Sequence, residues 1–193
     1  MAILGKLLRN RRAGETHLAW YEPALDGPET LRLGSADFGD GEVLPTVHAA
    51  RRVGGADRSP ALSWGDLPSD TVQVLLYVED VDAPTSKPFV HCVAVVSPAL
   101  AGEGLPAGAL SAREPGAGVT LLRSQLGSGY RGPAPIASHG PHRYVFQVFA
   151  LGARLPDAVQ GTQLARVSPR RIPEAVAKGS VLARGRLTGV YER

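Results

Sequence analysis

A single cysteine, Cys92, occurs among the 193 residues. One thiol cannot close an intrachain disulfide, and it cannot supply a cysteine-based metal cluster. Long apolar runs are also missing: none approaches the ~20 residues needed to span a bilayer. The opening MAILGKLLRNRR puts its charges after a very short apolar stretch, the reverse of a secretory signal. No A-x-A-like site follows closely, so a cytoplasmic protein is expected. There is no G-x-S-x-G elbow and no P-loop, which removes motif support for those hydrolase and nucleotide-binding chemistries. Gly127 to Gly132 do spell G-x-G-x-x-G. Pro133 and Pro135 follow where a helix should open, so a dinucleotide-binding reading fails on context. No internal repeat is visible, and no linker is long enough to divide the chain.

Strong charge of one sign is absent too, once the N-terminus is set apart. Lys6, Arg9, Arg11 and Arg12 precede the first acid, Glu15; without them 17 basic residues face 18 acidic ones, a net of −1. The pI near 9.3 therefore describes the tip of the chain, and no nucleic-acid partner is expected. Ile3, Leu4, Leu7 and Leu8 fall on one face of a short helix, with basic residues opposite. That pattern suits peripheral contact with a membrane surface or, more commonly, packing on the body.

What is present is β-sequence between irregular connections. Residues 1–30 form an N-terminal arm, polar from 13 onward and broken by Pro23, Gly27 and Pro28. From 31 to 193 a single domain is expected. Leu31–Leu33 alternates like a short strand. Val43–Val47 reads as an edge strand because of Pro45, and Leu62–Trp64 and Gly118–Leu122 read as extended. Thr71–Glu79 has a near-continuous apolar middle and is predicted to be buried on both faces. Phe89–Ser97, His142–Leu151 and Val181–Tyr191 complete the strands. Pro173–Lys178, followed by Gly179, is the helix candidate. Many strands and little helix imply a mainly β protein, an antiparallel β-sandwich or related fold.

The candidate site gathers around GYRGPAPIASHGPHRYVFQVFAL, Gly129 to Leu151. Its first half is stiff turn sequence and its second half is strand. Alternation puts His142, Tyr144, Phe146 and Val148 on one face, and Arg143, Val145, Gln147 and Phe149 on the other. Asp80 and Asp82 follow the Thr71–Glu79 strand, where turn chemistry with Pro84 competes with a functional reading. Buried carboxylates there need partners. His91 is placed by alternation with Phe89, Val93 and Val95, and away from Cys92. The same divergence of strand neighbours rules out a Cys92–His91 dyad. Asp80, Asp82, His91 and His142 are chemically able to hold a metal, but their spacing carries no metal signature. No metal or other cofactor is expected.

EDVDAPTSKPFVH followed by GYRGPAPIASHGPHRY resembles the phosphatidylethanolamine-binding protein family, also called the Raf kinase inhibitor proteins, in its small bacterial branch. Ser59-Pro60-Ala61-Leu62-Ser63-Trp64 is similar to the family's S-P-x-L-x-W, and Val181 to Gly189 to its closing strand. The resemblance spans roughly residues 31–193 and rests on several ordered motifs. It implies a β-sandwich of that type with one or two short helices and a small anion-binding pocket at one end. Asp80, Asp82, Pro84, His91, Gly132, Pro133, His142 and Tyr144 would form the pocket. Val81, Cys92 and Arg58 depart from the family pattern and would lie near its rim. The chain ends soon after its last strand, like bacterial members without the C-terminal helix of animal relatives.

The expected function is binding of a small anion or phosphorylated small molecule, with modulation of a partner protein such as a kinase as a separate claim. Asp80, helped by Asp82, would orient and charge His91 or His142. A Gly132 backbone N–H and the Tyr144 hydroxyl would complete the donors. The alternative is a hydrolase using Asp80, His91 and His142 on a phosphoryl or acyl substrate, although no nucleophile is evident. Exposed strand edges leave homodimerisation open.

Overall fold

The continuous apolar run Val74–Val78 lies at the centre of the protein. In the computed structural model, which describes residues 2–102 and 104–193, it forms a strand buried along nearly its whole length. Strands run in chain order β1 (Arg32–Gly34), β2 (Leu62–Gly65), β3 (Gln73–Asp80), β4 (Phe89–Val96), β5 (Gly104–Leu105), β6 (Val119–Ser124), β7 (Gly127–Ser128), β8 (His142–Leu151), β9 (Ala158–Val159), β10 (Thr162–Gln163) and β11 (Val181–Tyr191). Six of them make a sheet of order β11-β8-β3-β4-β6-β7, three make a smaller sheet of order β1-β2-β5, and β9 and β10 pair as a hairpin. All these pairings are antiparallel. The molecule is mainly β, as its sequence implied.

Alternation along the strands feeds two cores, one on each face of the large sheet. Leu76, Val78, Phe146 and Val148 meet Leu62, Trp64 and Leu105 of the small sheet. On the other face Leu75, Tyr77, Val145 and Phe149 meet the arm residues Leu18, Trp20 and Leu25 and the late residues Val167, Ile172 and Val176. Each large side chain removed from water here contributes about 1.5–3 kcal/mol. The arm is irregular, with 3-10 turns at Ala19–Tyr21 and Pro23–Leu25, yet it seals this second core. Arg184 reinforces it by stacking its guanidinium over Trp20, 4.2 Å from the ring centre.

Three local expectations are corrected. Val43–Val47 is not a strand: Val43 makes a single bridge to Val190, and after Pro45 the chain turns through a 3-10 segment, Thr46–His48. Pro173–Lys178 is not an α-helix but the end and aftermath of a 3-10 segment, Pro169–Ala175. Pro173 has no N–H to give to the carbonyl four residues back, and the Tyr77 hydroxyl takes that Pro169 carbonyl at 2.9 Å. The N-terminal helix α1 (Ala2–Leu8) does form, but its apolar face is not packed on the body. Ile3 and Leu7 are 76% and 77% exposed, and α1 touches the body through Gly5, against Ala137 and His139. Among the described residues the other α-helix, α2, is the short Pro98–Ala101. No described helix is long and apolar enough to cross a membrane.

Candidate functional site

Register converts sequence positions into a site. Asp80 ends β3 and lies opposite Phe89 of β4 on one side and Tyr144 of β8 on the other. All three side chains face one end of the large sheet. His142 opens β8, after Gly140 (φ 102°) and Pro141 have turned the chain. Its imidazole therefore stands on the same face as Tyr144, with the two rings stacked at 6.4 Å.

His91 reaches this face by a route that alternation does not predict. Between β3 and β4 the register runs Val78 to Cys92 and then Glu79 to Val90, which leaves His91 unpaired in a β-bulge. Without the bulge His91 would share the face of Val93 and Val95, which belong to the opposite core. With it, the imidazole stands edge-on to Tyr144 at 5.2 Å and to Phe89 at 5.3 Å. The expected grouping of His91 with Val93 and Val95 is thus corrected. Cys92 faces the first core and is fully buried, which pushes its thiol up to about 12.

The resulting cavity, about 600 Å³, is lined by Asp80, Pro84, His91, Gly132, His142 and Tyr144, all anticipated from the sequence. Asp82 and Pro133 do not line it. The Asp82 carboxylate turns to Arg143 (2.9 and 3.0 Å) and Arg12 (3.0 Å). Burial works against that carboxylate, but hydrogen bonds from the two arginines and the Arg143 backbone outweigh it and hold its pKa below the usual range. Pro133 instead joins two loops, its carbonyl accepting from Ala50 N–H at 2.9 Å. Gly132 is also spoken for: its N–H donates to Asp57 Oδ1 at 2.9 Å, so it is not an open anion donor. Its lack of a side chain matters more, because a Cβ there would sit 2.2 Å from the His48 carbonyl oxygen. Val81 and Cys92 sit in the two cores and do not reach the rim, and Arg58 does not line the cavity either.

The polar floor is specific. Asp80 Oδ2 meets His142 Nδ1 at 2.8 Å, and Asp80 Oδ1 accepts from Asp82 N–H at 2.9 Å. His142 Nε2 meets His139 Nδ1 at 2.7 Å, so both ring nitrogens of His142 are engaged. His91 Nδ1 lies 2.6 Å from the Arg131 carbonyl, which fixes that nitrogen as the donor. Its Nε2 makes no hydrogen bond to the described residues. Burial lowers the His91 pKa, against the pull of the Asp80 carboxylate. The buried Tyr144 hydroxyl has Asp80 and Ala134 nearby but makes no hydrogen bond of good geometry. Burial and Asp80 raise its pKa well above the ordinary value.

Sequence reasoning missed the cavity's mouth. Arg51, Arg52 and Arg131 line it, all exposed, and among the described residues none pairs with a carboxylate. Arg131 lay inside the quoted motif; Arg51 and Arg52 come from a loop some 80 positions earlier, with two adjacent arginines as the sole signal. His139 was also passed over. It is fully buried and supports His142 from behind without lining the cavity. Among the described residues no group of three or more His, Cys, Asp or Glu side chains is placed to hold a metal ion.

Comparisons with known proteins agree with this architecture. A family model described as phosphatidylethanolamine-binding protein matches residues 34–192. The UPF0098 protein of Aquifex aeolicus is 32% identical over 168 residues, covering 86% of this chain and 91% of its own. Escherichia coli YbhB is 33% identical over 159 residues, covering 79% and 98%. The crystal structure of E. coli YbcL superposes with a TM-score of 0.71 at 27% identity, covering 84% and 98%. The match to the family model across nearly the whole domain, on a sandwich of this topology, shows that the chain belongs to the phosphatidylethanolamine-binding protein family.

Proposed function

We propose that the cavity binds a small anionic or phosphorylated ligand. The observation that carries this reading is the unpaired Arg51, Arg52 and Arg131 at the mouth of a largely apolar cavity. Low-dielectric walls focus such charge and favour an incoming anion. Guanidinium groups are suited to phosphate and carboxylate oxygens. At the floor, the Tyr144 hydroxyl and His91 Nε2 offer a donor and an acceptor without competing protein partners. A ligand with an anionic head that keeps one ionisable proton, such as a phosphate monoester near neutral pH, suits that pair.

Binding is favoured over hydrolysis by the same geometry. Among the lining residues there is no serine or cysteine, and the Thr85 hydroxyl donates to the Lys87 carbonyl at 2.7 Å. His142, the natural general base, has neither nitrogen free. Action on a kinase or another partner protein would be a further property, carried by surface rather than by this floor.

Calorimetric titration with phosphate and phosphoethanolamine from pH 5 to 8 tests the proposal. Wild type should bind, and more tightly toward low pH as His91 gains a proton. Arg131→Ala should weaken binding about tenfold or more, the worth of a hydrogen bond to a charged group. It keeps the backbone carbonyl that His91 uses. Equal affinity in Arg131→Ala, or affinity that rises with pH, would overturn the reading.

A further inference from the structure

Behind the cavity floor runs a chain of hydrogen bonds, Asp80, His142, His139 and the backbone carbonyl of Arg11, of which the sequence suggested the first link alone. Its three gaps are 2.8 Å, 2.7 Å and 3.3 Å. Asp80, His139 and His142 are all at least 96% buried by exposed area, being 4%, 0% and 2% accessible. Water is therefore a poor substitute for a missing partner.

Counting protons along the chain decides its charge. A carbonyl oxygen only accepts, so the hydrogen in the last gap belongs to His139 Nε2. A neutral His139 then presents a lone pair at Nδ1, and His142 Nε2 must donate to it. The first gap needs a third hydrogen, between His142 Nδ1 and Asp80. With the usual two protons, carboxylate and two neutral rings, one gap would hold two lone pairs facing each other. That leaves two lone pairs facing each other, at least one of them on a side chain shut off from water. With three protons every gap is filled.

We infer that His139 is a positioning residue whose hydrogen bond keeps His142 doubly protonated, an imidazolium beside the Asp80 carboxylate, at neutral pH. Two other placements of the third proton are less favourable. On Asp80 it would sit on a carboxyl group that also accepts the Asp82 N–H, a bond that favours the ionised form. On His139 the positive charge would leave the carboxylate and approach Arg12, whose guanidinium lies 3.5 Å from the His139 carbonyl.

The other charges around the rings fit this assignment. Asp82 is neutralised by Arg12 and Arg143. Across the cavity His91 is a neutral ring whose pKa burial lowers, and Arg52 is a cation acting on that ring; the group in direct contact with His142 is the Asp80 carboxylate. The pocket then carries a fixed positive ring that donates no hydrogen bond of its own to a ligand. Only this consequence for binding rests on the reading above; the protonation state does not need a ligand.

Nitrogen-15 NMR of the full chain with labelled histidines, without ligand, reads the state directly. At pH 7 His142 should show both ring nitrogens protonated, with coupling across the hydrogen bond from its Nε2 to His139 Nδ1. His139→Leu, which cannot accept, should convert His142 to the neutral form at that pH. His139→Asn, whose amide oxygen can accept near the Nδ1 position, should restore the doubly protonated ring. A singly protonated His142 in wild type overturns the inference. So does a doubly protonated His139, or a His142 unmoved by His139→Leu. Should His139→Leu not fold, the wild-type pattern and the cross-bond coupling decide alone. Loss of phosphate binding with the ring pattern intact would overturn the anion-binding reading and support the relay by itself.

Discussion

Glu79 and Asp80 are neighbours on one strand, both acidic and both buried, and they face opposite sides of the sheet. Glu79 is closed in. Its Oε2 accepts from Ala19 N–H (2.7 Å) and Gln147 (2.9 Å), and Arg170 approaches its Oε1 at 2.7 Å. Burial still pushes its pKa up, against the pull of Arg170 and these donors. Asp80 is equally well held, but by a histidine, and beside it lie a tyrosine hydroxyl and an imidazole nitrogen without protein partners. One acid anchors an irregular arm to the sheet; the other helps line a cavity with unspent hydrogen-bonding capacity. The difference shows why burial of a charge is a poor sign of function, and why unpaired polar groups beside it are a better one.

The most forceful way to break this comparison is to open the closed side. Arg170→Ala removes the cation from Glu79 and also the bonds Arg170 gives to the carbonyls of His17 and Pro88. It should cost about 3–5 kcal/mol, the scale of an orphaned buried charge, measured by urea unfolding. A loss below about 1 kcal/mol would mean that Glu79 is not held as an ion pair. Next in size is Gly132→Ala in the wall of the open side. The new methyl would collide with the His48–Ala50 backbone, and overpacking of this kind costs about 1–3 kcal/mol. Phosphate titration should weaken in parallel; stability lost with binding intact would detach that wall from the ligand.

The smallest effect sharpens the role of His91. Burial lowers its folded pKa, so as pH falls the unfolded chain takes up that proton before the folded one. The stabilisation is complete above the ordinary histidine value of about 6.5 and declines below it. His91→Asn keeps a donor for the Arg131 carbonyl and removes the titration. Urea unfolding between pH 7.5 and 5 should show wild type losing stability relative to the variant toward acid. Parallel curves would show that His91 protonates as readily folded as unfolded.

Much of the site was legible because strand periodicity is local. Alternation alone put His142 with Tyr144 and apart from Arg143, and the turn residues around Asp80 and Gly140 marked where strands end. The placement of His91 was not legible by that rule, because one unpaired residue inverts alternation and a bulge leaves no compositional mark in FVHCVAVV. Asp82 looked equivalent to Asp80, being two residues away, until Arg12 and Arg143 were seen to claim it. Arg51, Arg52 and His139 escaped notice because their importance lies in what stands across from them. The failed helix at Pro173–Lys178 had good end signals, but a proline inside the segment and a tyrosine from β3 disposed of the bonds it needed.

By itself the sequence determined that the chain folds as a β-rich sandwich of a known family, with acids, histidines and a tyrosine at strand ends. Those properties follow from alternation, turn chemistry and ordered motifs, all readable within a few residues. Tertiary structure alone decided which of these groups share a cavity, which are neutralised elsewhere and which histidine stands behind His142. Those outcomes depend on contacts between segments 60 to 130 positions apart, and hydrogen-bond partners at such separations leave no local trace.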